Sequence, residues 1–339
     1  MPEINNQAIV DAFNLIIAKE RKQIFWQIFK SSEADPIFQD MRVETGVQEN
    51  QYYVGSNAFM SEVWQPWMLD GKTAKGALKF VPSKMLQRRH MVYNNFKPDS
   101  IRGTLLGRLS QEGKELTVRD IVTYMKDGVV KRLSDDRISS VLYRGVYSAP
   151  TANQANSAAS SVDGMGKVVE NGLEMADTDQ RINSWSVGAW KQNTIYQQVK
   201  DAVAETPDHL WSKPMSWYWS PTLMLWYKEN REATIGTRIN TNDKDLYTVP
   251  GTNWTFKPAP SMTGSLRAFL TPDGNMVRII DMMSGAEKLE ALRLQVDAVT
   301  IYGDFCEAYG FDFNKLVWAN RFNNASGSSL ADQVETFVS

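Results

Sequence analysis

A single cysteine, Cys306, stands in 339 residues. That excludes an intrachain disulfide and any zinc site built from several cysteines. Histidine is almost as scarce, with His90 and His209 the only two, too few for a histidine-rich metal centre. Neither sign of charge dominates: 37 Lys and Arg against 39 Asp and Glu leave a formal net charge of -2. The chain therefore lacks the basic excess that drives binding to phosphate backbones. No apolar run approaches the roughly 20 residues of a membrane span. Residues 1–29, "MPEINNQAIVDAFNLIIAKERKQIFWQIF", lack the basic-then-apolar pattern of a signal peptide. The expectation is folding in a reducing, aqueous compartment, with no membrane partner.

Chemistry-bearing motifs are also missing. No G-x-S-x-G nucleophile elbow occurs. His90 lies in "QRRHMVY", where two arginines disfavour its protonation. His209 follows "ETPD", so Asp208 could orient it, but no nucleophile accompanies the pair. "PWMLDGKT", residues 66–73, imitates a phosphate-binding loop at Gly71, Lys72 and Thr73. Pro66 occupies the place of the first glycine, so a tight turn is the better reading. "NTNDKD", residues 240–245, has closely spaced oxygen ligands without the glycine and distal glutamate of a calcium hand. The sequence thus assigns no catalytic residue, no cofactor and no metal ligand, and the chain is not read as an enzyme.

What is present in abundance is aromatic surface. The chain holds 11 Trp, 12 Tyr and 14 Phe, and "MSWYWSPTLMLWYKENRE", residues 215–232, concentrates them. Trp217 and Trp219 share one face of a short strand by its two-residue period. Ser220 is a good N-cap and Pro221 suits a first helical turn. Leu223, Trp226 and Tyr227 then form the stripe of the helix that starts there. Aromatics placed on both sides of such a junction fill a core between layers, and Trp217, Trp219 and Trp226 are expected to be buried.

Other segments order themselves around this one. Ile9, Phe13, Ile16, Ile17, Ile24 and Ile28 predict a helix over residues 7–30, ended by the polar "SSEADP". Residues up to about 110 alternate as extended chain, punctuated by Gly55, Gly71, Gly76 and Pro82, and so polar that they read as a ribbon reaching toward a partner. "LTVRDIVTYMKDGVVKRLSDDRISSVLYRGVY" carries a capping box at Thr117 and Asp120. Val118, Ile121, Val122, Met125 and Val129 continue it as a helix. Ser134, Asp135 and Asp136 offer a second start and Gly145 a stop, giving one long helix or two nearly collinear ones. "SAPTANQANSAASSVDGMG", residues 148–166, is small and polar, a boundary between lobes. A helix over roughly 193–204 follows it. "LRAFLTPDGNMVRIID" predicts a β-hairpin about "PDGN". In "EALRLQVDAVTIYGDFCEAYGFDFNKLVWAN" the alternation over Val296, Ala298, Thr300 and Tyr302 predicts a strand broken by Gly303 and Gly310. The tail "NNASGSSLADQVETFVS" reads as loose or docked on a neighbour.

This order of elements resembles the major capsid protein of tailed double-stranded DNA phages, an α+β fold named after phage Hong Kong 97. Four stretches carry the likeness: "TVRDIVTYMKDGVVKRLSDDRISSVLYRGVYSAPT", "SVDGMGKVV", "WSKPMSWYWSPTLMLWYKENRE" and "SMTGSLRAFLTPDGNMVRIID". Among such proteins it is most similar to coat proteins of phages of Bacteroidota-type hosts. The resemblance implies an N-terminal arm over 1–40, an extended loop over 41–80, and a peripheral domain with its spine helix over 81–150. It further implies an axial domain over 151–285, return strands of the peripheral domain over 286–325, and a C-terminal tail over 326–339. It implies a coat protein of the virion, assembled in the host cytoplasm, that self-associates into hexameric and pentameric capsomers of an icosahedral shell. Its partners would be itself, portal and scaffold or decoration proteins, and enclosed double-stranded DNA held without sequence-specific binding. Some family members join subunits through a lysine–asparagine crosslink, and no motif here places that pair. Two alternatives stand beside this reading: an encapsulin-like nanocompartment shell, and a carbohydrate-binding or carbohydrate-active protein using the tryptophan-rich stretch.

The charge balance supplies a first test. The densest basic clusters are "KERK" at 19–22 and "QRRH" at 87–90, and each phosphate contact adds a slope of only about -0.9 against log salt. The free subunit is expected to show no measurable duplex binding in about 0.15 M salt, where charges beyond roughly 8 Å are screened. Tight, steeply salt-dependent retention of duplex DNA would contradict this.

Overall fold

A computed structural model describes residues 6–31, 35–46, 52–60, 65, 67, 75, 78–97, 117–152, 154–236, 244–280, 288–292 and 298–321. The C-terminal tail and most of "PWMLDGKT" and "NTNDKD" lie outside the described residues.

Helix α1 (Asn6–Ser31) buries Ile9, Phe13 and Ile17 at helical spacing, with Ile16 half-buried beside them. The side chains of Ile24 and Ile28 are outside the described residues. Asp35 caps the short helix α2 (Pro36–Asp40). Its carboxylate accepts the Ile37 amide at 2.9 Å and the Ser261 amide at 2.7 Å, tying the N-terminal segment to a distant turn. Burial raises the Asp35 pKa above the ordinary carboxylate range despite those amides.

Helix α3 (Val118–Asp136) opens with the expected capping box. The Asp120 amide donates to Thr117 Oγ1 at 3.3 Å and the Thr117 amide to Asp120 Oδ2 at 2.9 Å. At the second start suggested by Ser134–Asp136 the helix does not break; it widens into a π turn over Arg137–Val141. This turn carries Arg137 into the interior and leaves Leu142 fully buried. Gly145 does end the helical run, and its backbone lies against Gly164, whose amide donates to the Gly145 carbonyl at 2.9 Å. A Cβ at Gly164 would stand 2.5 Å from the Val141 carbonyl oxygen, so only glycine fits. Gly164 also begins helix α4 (Met165–Glu174), which ends the polar crossover as the composition suggested.

Two sheets organise the body. The first contains β1 (Arg42–Thr45), β4 (Arg88–Phe96), β9 (Met276–Ile280), β10 (Lys288–Leu292) and β11 (Val299–Phe311). Strand β11 is its axis, pairing antiparallel with β4 along one side and with β10 and then β9 along the other. Strand β1 adds in parallel to β9. Gly303 and Gly310 therefore sit inside one continuous strand of 13 residues rather than breaking it. Gly310 has a packing reason: a Cβ there would be 2.6 Å from Met85 Sδ. α1 and α3 pack against each other, and α1 also contacts β10 and β11. Asn14 of α1 completes the β10 edge by exchanging two hydrogen bonds with the Ala291 backbone, at 3.0 and 2.8 Å.

The second sheet runs β5 (Asn183–Trp185), β12 (Trp318–Asn320), β8 (Phe269–Pro272), β6 (Met215–Trp219), β7 (Trp254–Pro258). Helices α5 (Ile195–Glu205) and α6 (Pro221–Ile235) share an aromatic core with it. The expected hairpin about "PDGN" is not formed, because β8 lies in the second sheet and β9 in the first. The turn exists, with Gly274 at φ 78 and the Asn275 amide donating to the Pro272 carbonyl at 3.3 Å, but its side-chain hydrogen bonds go elsewhere. Asn275 Nδ2 donates to Thr271 Oγ1 and to the Phe313 carbonyl, both at 3.0 Å, while its Oδ1 accepts the Phe313 amide at 2.8 Å. Asp273 accepts from Ser216 Oγ at 2.7 Å. Committed to β6 and to the chain beyond β11, the turn hands the chain from one sheet to the other. Likewise β12 returns to the second sheet. The change of sheet thus falls at residues 273–275 and again after β11.

A pair of glycine substitutions tests these contacts. Gly164→Ala drives a methyl into backbone and should destabilise by about 1–3 kcal/mol. Gly310→Ala meets only the flexible Met85 side chain and should lose less. Urea midpoints of the two variants should rank in that order; equal losses would count against the rigid Gly145–Gly164 crossing.

Candidate assembly surfaces

The tryptophan-rich stretch is interior. All five residues of β6 are buried, and their alternation serves two cores. Met215, Trp217 and Trp219 join the aromatic cluster, whereas Tyr218 faces Phe269 and the core beneath the first sheet. Trp217 stacks on Trp185 with centroids 4.5 Å apart, and Trp219 on Phe256 at 4.3 Å. Trp190 meets Trp185 and Trp219 edge-on. Ser220 caps α6 as expected, its Oγ accepting the Leu223 amide at 3.3 Å. Trp226 departs from expectation. It is only partly buried at the margin of the cluster, because Leu223 and Tyr227 occupy the inward stripe. The positions completing the aromatic core are Trp185, Trp190 and Trp254. Sequence reasoning missed them, for they come from separate elements with no local aromatic run. No exposed stacking platform is left at Trp217 and Trp219, which removes the sugar-binding role suggested for them.

On the other side of β6, Tyr218 Oη donates to Asp40 Oδ2 at 2.5 Å, and Lys257 Nζ donates to the same oxygen at 2.6 Å. Burial and the facing Asp40 carboxylate push the Tyr218 hydroxyl pKa upward. A second buried hub lies under the first sheet. Arg137 of the π turn pairs with Glu307 of β11, which also accepts from Tyr309 Oη at 2.5 Å. Burial alone would raise the Glu307 pKa, but Arg137, then Arg278 and His90, bring it below the ordinary carboxylate range. His90 is buried beside this hub, and His209 is exposed in a 3-10 turn with Asp208. The two histidines therefore form no common site. Among the described residues no group of three His, Cys, Asp or Glu is arranged to hold a metal.

The outward features differ in kind. Strands β2 (Tyr52–Met60) and β3 (Leu78–Leu86) make a two-stranded antiparallel ribbon, paired from Tyr52↔Leu86 to Met60↔Leu78. This is the extended segment read from the sequence. Its root is pinned by Met85, which packs on Val277, Ile279 and Ala308. Trp67, between the two strands in sequence, is 79% exposed. On the face of β4 that carries Arg89, Met91 is 69% and Tyr93 54% exposed. A cleft of about 400 Å³ opens at the ribbon root, lined by Lys84, Met85, Arg88, Asp163, Phe311 and Lys315 among others. Among the described residues no helix is long and apolar enough to cross a membrane.

The architecture is the Hong Kong 97-type phage capsid fold. A chain of the satellite phage P4 procapsid that includes the size determination (Sid) protein superposes with a TM-score of 0.57 at 12% identity, covering 89% of this chain and 90% of its own. A chain of Microbacterium phage Oxtober96 gives a TM-score of 0.51 at 10% identity, covering 85% and 91%. Neither a protein-family model nor a curated protein matches the sequence.

The burial pattern sets a graded test. Trp219→Ala empties a fully enclosed indole site and should destabilise by about 3–5 kcal/mol, giving insoluble or sharply less stable protein. Trp226→Ala removes a half-exposed ring and should be clearly milder. Comparing urea midpoints checks this; equal effects would mean the aromatic core extends to Trp226.

Proposed function

We propose that this chain is a major capsid protein, self-assembling into an icosahedral shell that encloses a phage genome. The observation that carries the reading is the fold itself, shared with a phage P4 procapsid chain over 89% of this chain. The ribbon supports it. Two strands of nine residues, with Met85 packed on the body at their root, offer an extended surface that can bury area against a neighbour. The net charge of -2 suits lateral packing of identical copies, where a strong like charge would repel. Head-to-tail contacts between such copies close into rings when the rotation permits.

In this reading the extended loop of residues 41–80, beyond β1 in the first sheet, lies over an adjacent subunit, α3 is the spine of the peripheral domain, and the second sheet with α5 and α6 belongs to the axial domain. Capsomers are hexamers and pentamers. Portal, scaffold or decoration proteins are further partners, DNA is confined by closure, and the particle assembles in the host cytoplasm. The likeness of the four sequence stretches extends the reading to a Bacteroidota-type host. The subunit works by surface complementarity and not by catalysis.

Imaging of the overexpressed full chain should show closed shells or curved sheets. Deleting residues 50–75 should leave the unfolding midpoint of the subunit nearly unchanged while abolishing shells, as followed by light scattering. Loss of the fold itself would contradict the ribbon assignment. Particles that protect a co-purifying enzyme, and no nucleic acid during genuine infection, would favour the nanocompartment alternative instead.

A further inference from the structure

We propose that His90 is an acid-sensitive latch on the contact between the spine helix and the first sheet. The ring is 8% exposed, and neither of its nitrogens meets a hydrogen-bonding partner. It lies on β4 opposite Phe305 of β11, with ring centroids 5.4 Å apart. One residue pair further along the same face stands Glu307, the acceptor that holds Arg137 and so fastens the π turn of the helix to the sheet. A buried histidine without partners adds nothing to polar satisfaction while neutral. What it does bring is a titratable group next to the one ion pair that joins helix and sheet there.

The surroundings set the sign. On its own strand the nearest charge is Arg88, half-buried, with its guanidinium 3.8 Å from the Tyr147 ring centroid. Strand β11 presents Glu307 and Tyr309 on this face, and Asp304 on the opposite face, where Arg89 binds it. The π turn presents Arg137, and β9 presents Arg278, whose guanidinium lies 4.0 Å from the Phe38 ring centroid of α2. The carboxylates near α2 are spoken for: Asp35 by the Ile37 and Ser261 amides, Asp40 by Tyr218 and Lys257. A proton on His90 therefore adds a buried positive charge where Arg137 and Arg278 already act on one carboxylate. It competes with Arg137 for Glu307 and has no second acceptor. Burial, opposed by Glu307 and assisted by Arg137, accordingly lowers the His90 pKa below its ordinary value of about 6.5.

Linkage gives the direction. Above pH 6.5 the imidazole is neutral in both folded and unfolded chains and contributes no pH dependence. As pH falls below 6.5 the unfolded chain takes up the proton and the folded chain does not. The folding constant then drops by about tenfold per pH unit until the folded imidazole itself titrates. Where it does titrate, protonation loosens the Arg137–Glu307 fastening, and the π turn opens ahead of the rest of the body.

The test compares the full-length subunit with His90→Phe, which keeps the ring contact with Phe305 and cannot titrate. His90→Gln serves as the second variant if the phenyl ring hinders folding. Urea unfolding at pH 7.5 to 5.0 should show wild type losing ground to either variant by up to about fivefold in folding constant between pH 6.5 and 5.5, steepening below that. Peptide-level hydrogen exchange, corrected for intrinsic pH effects, should quicken over residues 137–142 on acidification in wild type alone. A wild-type-to-variant ratio that stays constant with pH would overturn the proposal. So would a ratio that rises on acidification, which would mean that Glu307 captures the imidazolium, and so would equal exchange over the π turn in both proteins.

Discussion

Burial of strand β6 on both faces is the constraint on which the body of this protein rests. Every side chain of β6 is enclosed, so the strand cannot present one face to water as an ordinary antiparallel strand does. Its odd positions need one partner layer and its even positions another. The first layer is the aromatic cluster shared with α5 and α6. The second is the core beneath the first sheet, reached through Tyr218 and its bond to Asp40. Because one five-residue strand supplies side chains to both cores, the two sheets are not independent modules joined by a linker. A large loss at Trp219 should be felt across the body for that reason.

The chain path enforces the same coupling. Residues 273–275 pass it from the second sheet to the first, and the segment after β11 passes it back, the two crossings being held together by Asn275. The buried Arg137–Glu307 pair then fastens the long helix to the central strand of the first sheet. Such a pair contributes little net stability compared with apolar packing, since both charges must be desolvated. It does fix one orientation of helix against sheet, and removing either partner would strand the other charge.

Beside this cross-braced body stands the two-stranded ribbon. Met85 and its three apolar contacts anchor its root, and Trp67 offers a large apolar surface to solvent. Among the described residues the Asp40 carboxylate joins α2 to the second sheet, and the buried Glu307 carboxylate joins the π turn to the first.

Local rules were sufficient wherever the signal was local. The capping box at Thr117 and Asp120, the Ser220–Pro221 start of α6, the stripe of α1 and the extended ribbon were all legible, because capping and periodicity depend on residues within one turn or strand. Other features were decided by partners far away in sequence. "PDGN" has hairpin chemistry, yet Asn275 bonds Phe313, so its flanking strands separate. Gly303 and Gly310 look like strand breakers until β4 pairs with the first and Met85 packs where the second's side chain would have been. Trp226 lies on an aromatic stripe but at its margin, and Trp185, Trp190 and Trp254 complete the core from separate elements. The pairing of Arg137 with Glu307 joins residues 170 positions apart. Sequence by itself determined which segments could be helix, strand or turn, since those preferences are short-ranged. Only the tertiary structure decided which strands share a sheet and which charges are buried together, because both depend on desolvation at contacts that no local pattern encodes.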